Sequence, residues 1–342
     1  MTAAWGAGLS HNARGALLGL LAFGLFATHD AIIKGLGGSY SPFQIVFFSV
    51  LLSFPLTTLY LMRDPKPGTL IPRHPWWVAG RTASVVVTSV CAFYAFSVLP
   101  LAQAYAILFA SPLLITVLSI PILGERVRLR RWLAVAVGLL GVLIVLRPGA
   151  TTLGLGHAAA LAAAFGGAFG AVVVRRVGQD ERPVVMILYP MVANFALMAA
   201  LMPLVYEPMP FPDLLAMAAV AGLGFLATLA VIAAYRAGDS SVVAPMQYSQ
   251  IVWATLYGAL FFGEAPDALT GLGAAVVIGS GLYILFREGR ASPGRPLLGL
   301  RGRFVEAGTA PRLGALEPHR GPPEGLRPPP GRGGLANLAR PE

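Results

Sequence analysis

Residues 111–125 read SPLLITVLSIPILGE, and residues 250–264 read QIVWATLYGALFFGE. Thr, Gly and Glu recur between these two segments at a spacing of 139 residues. After one extra residue the match resumes, with GVLIVLR at residues 141–147 aligning with GLYILFR at residues 281–287. The sequence therefore predicts an internal duplication, and the rest of the chain is interpreted from it.

The composition indicates that the duplicated unit is embedded in a membrane. Of the 342 residues, 56% are hydrophobic and 12% are charged, and the mean hydropathy is +0.71. One soluble core of this size cannot bury so much apolar surface. The single cysteine, Cys91, excludes a disulfide framework and a cysteine-based metal site. We therefore expect an all-α membrane protein with no metal and no cofactor.

Apolar stretches suited to crossing a bilayer, which takes about 20 helical residues, occur ten times in the chain. They are residues 15–35, 43–62, 76–98, 101–123, 132–147, 155–174, 184–206, 213–235, 241–262 and 268–286. This pattern predicts ten transmembrane helices in two five-helix repeats, at residues 15–147 and 155–288, after an N-terminal segment at residues 1–14. Because five is odd, the second repeat must be inverted relative to the first.

The positions of Lys and Arg predict the orientation, because cytoplasmic loops collect positive charge. The loops expected inside carry twelve Lys and Arg residues, whereas the loops expected outside carry Lys34 and Arg147. Both termini are thus predicted to be cytoplasmic. Residues 289–342 are rich in Pro, Gly and Arg, which predicts a disordered tail. Its arginines either attract anionic lipid headgroups or are simply solvated. No basic patch with interleaved aromatics accompanies the net charge of +10, so nucleic acid is not an expected partner.

The chain resembles the EamA-type transporters of the drug/metabolite transporter superfamily over residues 15 to 288. The Gly-Glu ends of the fourth and ninth predicted helices and the Gly-rich fifth and tenth carry the resemblance. The segments DAIIK at 30–34 and QIVFF at 44–48 resemble a bacterial branch of exporters and importers of amino acids, S-adenosylmethionine and riboflavin. The resemblance implies a multi-pass protein of the bacterial inner membrane with helices around a central cavity. It also implies fifth and tenth helices that pack at the back or at a possible homodimer interface.

Ionisable side chains inside the first predicted helix are the leading candidates for function, because charge in the hydrocarbon region is costly. His29 and Asp30 lie about 21 Å along this helix, at 1.5 Å per residue. Asp30 either forms a local ion pair with Lys34 one turn away or serves a solute or a proton. His29 either hydrogen-bonds a neighbouring helix or relays protons.

Uncharged polar and aromatic residues on the repeated helices are predicted to line the cavity. The candidate substrate-binding residues besides His29 and Asp30 are Tyr94, Gln103, Tyr105, Tyr235, Gln247, Tyr248, Gln250 and Trp253. Gln247, Gln250 and Trp253 recur at helical spacing, which favours one lining face. Glu125 and Glu264 fall at helix ends, where capping or ion pairing is the expected role, so they are treated as fold markers.

The predicted function is secondary transport of a small metabolite by alternating access. The resemblance favours an amino acid or a related solute, with export as the expected direction. The alternatives are an uptake carrier for S-adenosylmethionine or riboflavin, a passive channel and a polytopic membrane enzyme. An enzyme would need clustered acids or histidines, and the sequence has no such motif. It also lacks a Walker-type Gly-Lys-Ser/Thr pattern, which argues against ATP as the driving force.

Overall fold

The computed structural model describes residues 11–61, 69–125, 127, 129–149, 153–178 and 180–290. Within these residues the regular elements are all helical. The first predicted repeat comprises α1 (His11–Leu36), α2 (Pro42–Leu61), α3 (Pro75–Val98), α4 (Leu101–Leu108), α5 (Ser111–Leu123) and α6 (Leu129–Leu146). The second comprises α7 (Leu155–Val177), α8 (Pro183–Val205), α9 (Phe211–Ala237), α10 (Ser240–Val243), a 3₁₀ helix (Ala244–Tyr248), α11 (Ser249–Phe262) and α12 (Ala268–Arg290). The predicted tail from residue 291 onward lies outside the described residues, as do residues 1–10.

Eight helical stretches among the described residues are long and apolar enough to cross a membrane, and Ala268–Ile284 is a shorter apolar helix. The fourth predicted span is interrupted at residues 109–110, just before Pro112, and the ninth is interrupted by the 3₁₀ segment that contains Pro245. Proline has no N–H to donate to the carbonyl four residues earlier, and its ring clashes with that carbonyl. An α-helix cannot run through such a position undisturbed, which accounts for both interruptions. The count of ten crossings therefore stays a prediction.

Both copies of the Gly-Glu motif form the same helix-ending turn. Gly124 and Gly263 have φ of 68° and 64°, a left-handed conformation that glycine adopts without strain. The backbone N–H of Glu125 then donates to the Ser119 carbonyl at 3.4 Å, and that of Glu264 donates to the Gly258 carbonyl at 2.9 Å. Both bonds reach back six residues, so each helix ends in the same way at a left-handed glycine. The duplication read from the sequence thus extends to backbone geometry.

The helices of the two repeats pack on each other reciprocally. The first helix of each repeat lies along the third of the other, as α1 on α9 and α7 on α3. The second helices pair as α2 with α8, and the fifth as α6 with α12. At the α6–α12 crossing, a Cβ added to Gly141 would lie 2.9 Å from the Gly273 carbonyl oxygen. Small residues permit this close approach.

The ends of the helix bundle are distinguished by contacts between loops. At one end, Tyr40 donates to Asp213 at 2.5 Å, and Gln44 pairs with the backbone of Glu207. At the other end, the N–H of His74 donates to Glu181 at 2.5 Å. We call these the Lys34 end and the Arg175 end, after the basic residues described below. In the described chain, the helix ends and loops at the Arg175 end carry Arg14, Arg73, Arg81, Arg130, Arg131, Arg175, Arg176, Arg182 and Arg236, and those at the Lys34 end carry Lys34 and Arg147.

Candidate functional site

The carboxylate of Asp30 is the centre of a buried polar cluster. Asp30 lies six residues before the end of α1 and is 2% exposed, and the adjacent His29 is 1% exposed. His29 Nδ1 lies 2.7 Å from Asp30 Oδ1, and the Tyr105 hydroxyl of α4 donates to Asp30 Oδ2. Both carboxylate oxygens therefore have a hydrogen-bonding partner, which a buried carboxylate requires.

The second repeat reaches this cluster through Gln250 of α11. Gln250 Nε2 donates to the Tyr105 hydroxyl at 3.4 Å. Aromatic rings cover the rest of the cluster: Phe93 of α3 meets the His29 ring edge-on at 6.0 Å between centroids, and Phe96 lies 5.4 Å from the Tyr105 ring. Apolar surroundings of this kind strengthen electrostatic interactions with the carboxylate. We call His29, Asp30, Tyr105 and Gln250 the Asp30 cluster.

An aromatic strip on α11 adjoins the Asp30 cluster. Trp253 stacks on Tyr257 with ring centroids 6.0 Å apart, and the Tyr257 hydroxyl lies 2.9 Å from Thr28 Oγ1 on α1. Thr28 directly precedes His29, so the strip and the cluster share the α1–α11 interface. Both rings of the strip are partly exposed.

Of the two alternatives for Asp30, the ion pair with Lys34 is not present in the structure. Lys34 Nζ instead lies 2.8 Å from Glu264 Oε1 and donates to the Leu99 carbonyl at 2.6 Å. The side chains of Lys34 and Glu264 are 9% and 24% exposed. Glu264 is therefore partly buried and paired, because packing of α1 against α11 brings a cation to it. We call this contact the Lys34 clasp.

Glu125 forms the matching contact at the other end of the bundle. Arg175, at the end of α7, donates to Glu125 Oε1, and Arg131 lies 3.9 Å from Glu125 Oε2. We call the Arg175–Glu125 contact the Arg175 clasp. The ion pairing expected for both glutamates is present in the structure. Arg126 and Arg128, which follow Glu125 in the sequence, lie outside the described residues.

Other predicted lining residues lie elsewhere. Gln103 Nε2 is 3.2 Å from His157 Nε2 at the start of α7, and the Tyr248 ring packs edge-on against Phe109. Tyr235 belongs to an apolar cluster near the Arg175 end, where α9 meets α1. Within the described chain, no hydrogen bond or ring contact joins Tyr94 on α3 or Gln247 in the 3₁₀ helix to Asp30. The structure therefore gathers His29, Asp30, Tyr105 and Gln250, with Trp253 beside them.

The sequence analysis did not predict that Phe93, Phe96 and Tyr257 lie around the site. Tyr257 could have been found, because it lies one turn after Trp253 on the same helix. The rings of Phe93 and Phe96 look like ordinary apolar residues until α3 is placed against α1. Among the described residues no group of three or more His, Cys, Asp or Glu side chains could hold a metal ion.

Comparison with known protein families decides the class of this fold. The EamA-like transporter family matches residues 13–147 and again residues 154–286, so most of the chain is covered by two copies of one family domain. The chain belongs to the EamA-like transporter family. It is a multi-pass membrane protein. Its family is a transporter family, and the similar proteins named below are small-molecule transporters.

Several curated relatives of this EamA-like transporter have named solutes. The riboflavin transporter of Vibrio cholerae is 31% identical over 195 residues, which cover 56% of this chain and 65% of that protein. The pseudopaline exporter of Pseudomonas aeruginosa is 27% identical over 77% of this chain and 93% of that protein. The S-adenosylmethionine uptake transporter of Rickettsia bellii is 25% identical over 78% of this chain and 91% of that protein. The match to the riboflavin transporter thus spans less than two thirds of its length.

A solved crystal structure shares the fold. It matches with a TM-score of 0.54 and 22% identity, over 81% of this chain and 98% of the other. At this identity the likeness shows the fold alone.

Proposed function

We propose that this EamA-like transporter is a secondary carrier that moves a small metabolite across the bacterial inner membrane by alternating access. In this proposal ten crossings form two inverted repeats with both termini in the cytoplasm. The excess of Arg at the Arg175 end supports a cytoplasmic position for that end. Reciprocal packing of the first helix of each repeat on the third of the other supports the inversion.

The observation that carries this proposal is the Asp30 cluster, which is assembled from both repeats. Asp30 and Tyr105 come from the first repeat, and Gln250 comes from the second. A site shared between two halves changes shape when those halves move relative to each other. The carboxylate has no Lys or Arg partner in the described chain, and Lys34 is occupied by Glu264.

The chemistry of this cluster supports a solute with a cationic nitrogen. A buried carboxylate gains most from a partner that brings positive charge and hydrogen-bond donors. An ammonium group of an amino acid or a related metabolite supplies both, and Tyr105 and Gln250 supply further polar contacts. We propose an amino-acid-related solute, with export as the direction.

The second candidate is uptake of a solute with a planar aromatic group, such as S-adenosylmethionine or riboflavin. The stacked rings of Trp253 and Tyr257 beside the cluster favour it, since aromatic faces bind flat or cationic groups. The names of the relatives point in the same direction.

Counterflow in proteoliposomes tests the proposal. Vesicles loaded with an unlabelled amino acid, S-adenosylmethionine or riboflavin are diluted into the labelled compound, with empty liposomes as control. We expect transient, saturable accumulation of one compound class. Flux without counterflow would indicate a channel, and conversion of the compound would indicate an enzyme.

A further inference from the structure

The two clasps are related by the internal repeat. The Lys34 clasp joins the end of α1, the first helix of the first repeat, to the Gly-Glu turn after α11 in the second. The Arg175 clasp joins the end of α7, the first helix of the second repeat, to the Gly-Glu turn after α5 in the first. Each repeat thus contributes one acid and one base, and both ion pairs cross between repeats.

The clasps lie at opposite ends of the bundle. Lys34 donates to the carbonyl of Leu99, which follows the last residue of α3. Arg176, the neighbour of Arg175, lies over the ring of Trp77 near the first residue of α3. Trp77 and Leu99 are 22 positions apart along α3, which corresponds to about 33 Å at 1.5 Å per residue.

Each clasp is tied to backbone as well as to charge. Glu264 Oε2 accepts from the N–H of Leu101 at the start of α4, so the Lys34 clasp also holds the α3–α4 junction. Beside the Arg175 clasp, Arg176 donates to the Ile122 carbonyl of α5 at 3.1 Å. Partly buried ion pairs with such additional hydrogen bonds are screened less by solvent than exposed pairs.

The Lys34 clasp is adjacent to the Asp30 cluster. Lys34 follows Asp30 by one helical turn, so it lies on the same face of α1 about 6 Å further along the axis. With both clasps formed, Asp30 is 2% exposed. Asp30 is therefore shielded from solvent in this structure.

We propose that the four residues of the two clasps are positioning residues. They determine from which side of the membrane the Asp30 cluster is accessible. Breaking the Lys34 clasp opens the cluster toward the Lys34 end, and breaking the Arg175 clasp opens it toward the opposite end. This inference rests on the proposed carrier function. It deepens that function by assigning the two gates to four residues outside the cluster.

A single reporter cysteine tests this assignment without any solute. Ala254 is 1% exposed and lies one turn from Gln250 on the buried face of α11, so Ala254→Cys in a Cys91→Ser background reports access to the site. Right-side-out and inside-out vesicles are treated with a membrane-impermeant maleimide. We expect Glu264→Gln to raise the labelling rate from one side and Glu125→Gln to raise it from the other, each about fivefold or more, the lower range of coupling between linked sites.

Matched variants control the experiment. Asp267→Asn removes a different acid at the Lys34 end, one that pairs with Arg147, and should leave both labelling rates unchanged. Lys34→Gln breaks the Lys34 clasp from its basic side and should reproduce Glu264→Gln, which keeps the test intact if one variant folds poorly.

Three results would overturn the gate assignment: equal labelling from both sides, unchanged labelling in folded clasp variants, or the same accelerated side for Glu264→Gln and Glu125→Gln. Counterflow by the wild-type protein would still stand in those cases, so the failure of the gates is distinguishable from failure of the carrier function. Conversely, side-specific labelling without counterflow would support the gates and contradict the proposed solutes.

Discussion

Gln250 Nε2 donates a 3.4 Å hydrogen bond to the Tyr105 hydroxyl, which in turn donates to the buried carboxylate of Asp30. One phenol therefore links the second repeat to the charge held by the first. A movement of α11 relative to α4 alters this link directly, so the polarity of the site depends on the relative position of the repeats.

Replacing Tyr105 with Phe removes the phenol and keeps the ring that packs near Phe96 and Phe109. Hydrogen bonds to charged groups contribute about 1.5–3 kcal/mol, so we expect kcat/KM for counterflow to fall about 10- to 100-fold in a folded protein. Tyr94→Phe removes a phenol from α3 as the matched control. Equal losses in both variants would contradict a specific role for Tyr105.

Replacing Gly141 with Val tests the α6–α12 crossing. A Cβ at this position would lie 2.9 Å from the Gly273 carbonyl oxygen and 2.9 Å from a Val277 methyl group. Overpacking of a tight contact typically costs about 1–3 kcal/mol, so thermal unfolding in detergent should begin at a lower temperature. Gly279→Val on α12 is the control, because a Cβ there meets no atom within 4 Å. A comparable loss for Gly279→Val would argue against this packing.

The Asp267–Arg147 contact predicts an acid-dependent contribution to stability. Hydrogen bonds from Thr270 and Arg147 lower the pKa of Asp267 from 3.8 to about 2. A lowered pKa stabilises the folded state above the unfolded pKa, and this contribution is lost as pH falls from about 4 to about 2. The stability difference between wild type and Asp267→Asn, measured by thermal unfolding, should be constant from pH 5 to 7 and vanish toward pH 2. A difference that persists at pH 2 would contradict the assignment.

Much of the fold was predictable because its signals are local. The Gly-Glu repeat marked both helix ends, since each ends in a left-handed glycine. The candidate Asp30 was also predictable, because charge within an apolar run stands out against its neighbours.

The long-range contacts were not predictable in the same way. Asp30 lies within one helical turn of Lys34, and nothing in the local sequence indicates that Lys34 pairs instead with Glu264, which lies 230 positions after it. Polar residues such as Gln103 and Tyr235 satisfy the same compositional criterion as Tyr105, but the face of a helix that meets the site depends on how its neighbours pack. The sequence therefore predicted ten lining residues, but it could not distinguish the four residues of the Asp30 cluster from the other six.

Counterflow by Asp30→Asn, compared with Asp267→Asn, tests the central claim most directly. Both changes neutralise one aspartate, but Asp30 lies in the buried cluster whereas Asp267 lies in a loop at the end of the bundle. We predict that Asp30→Asn abolishes solute counterflow in a protein that remains folded, and that Asp267→Asn transports like the wild type. Wild-type counterflow by a folded Asp30→Asn variant would contradict the account.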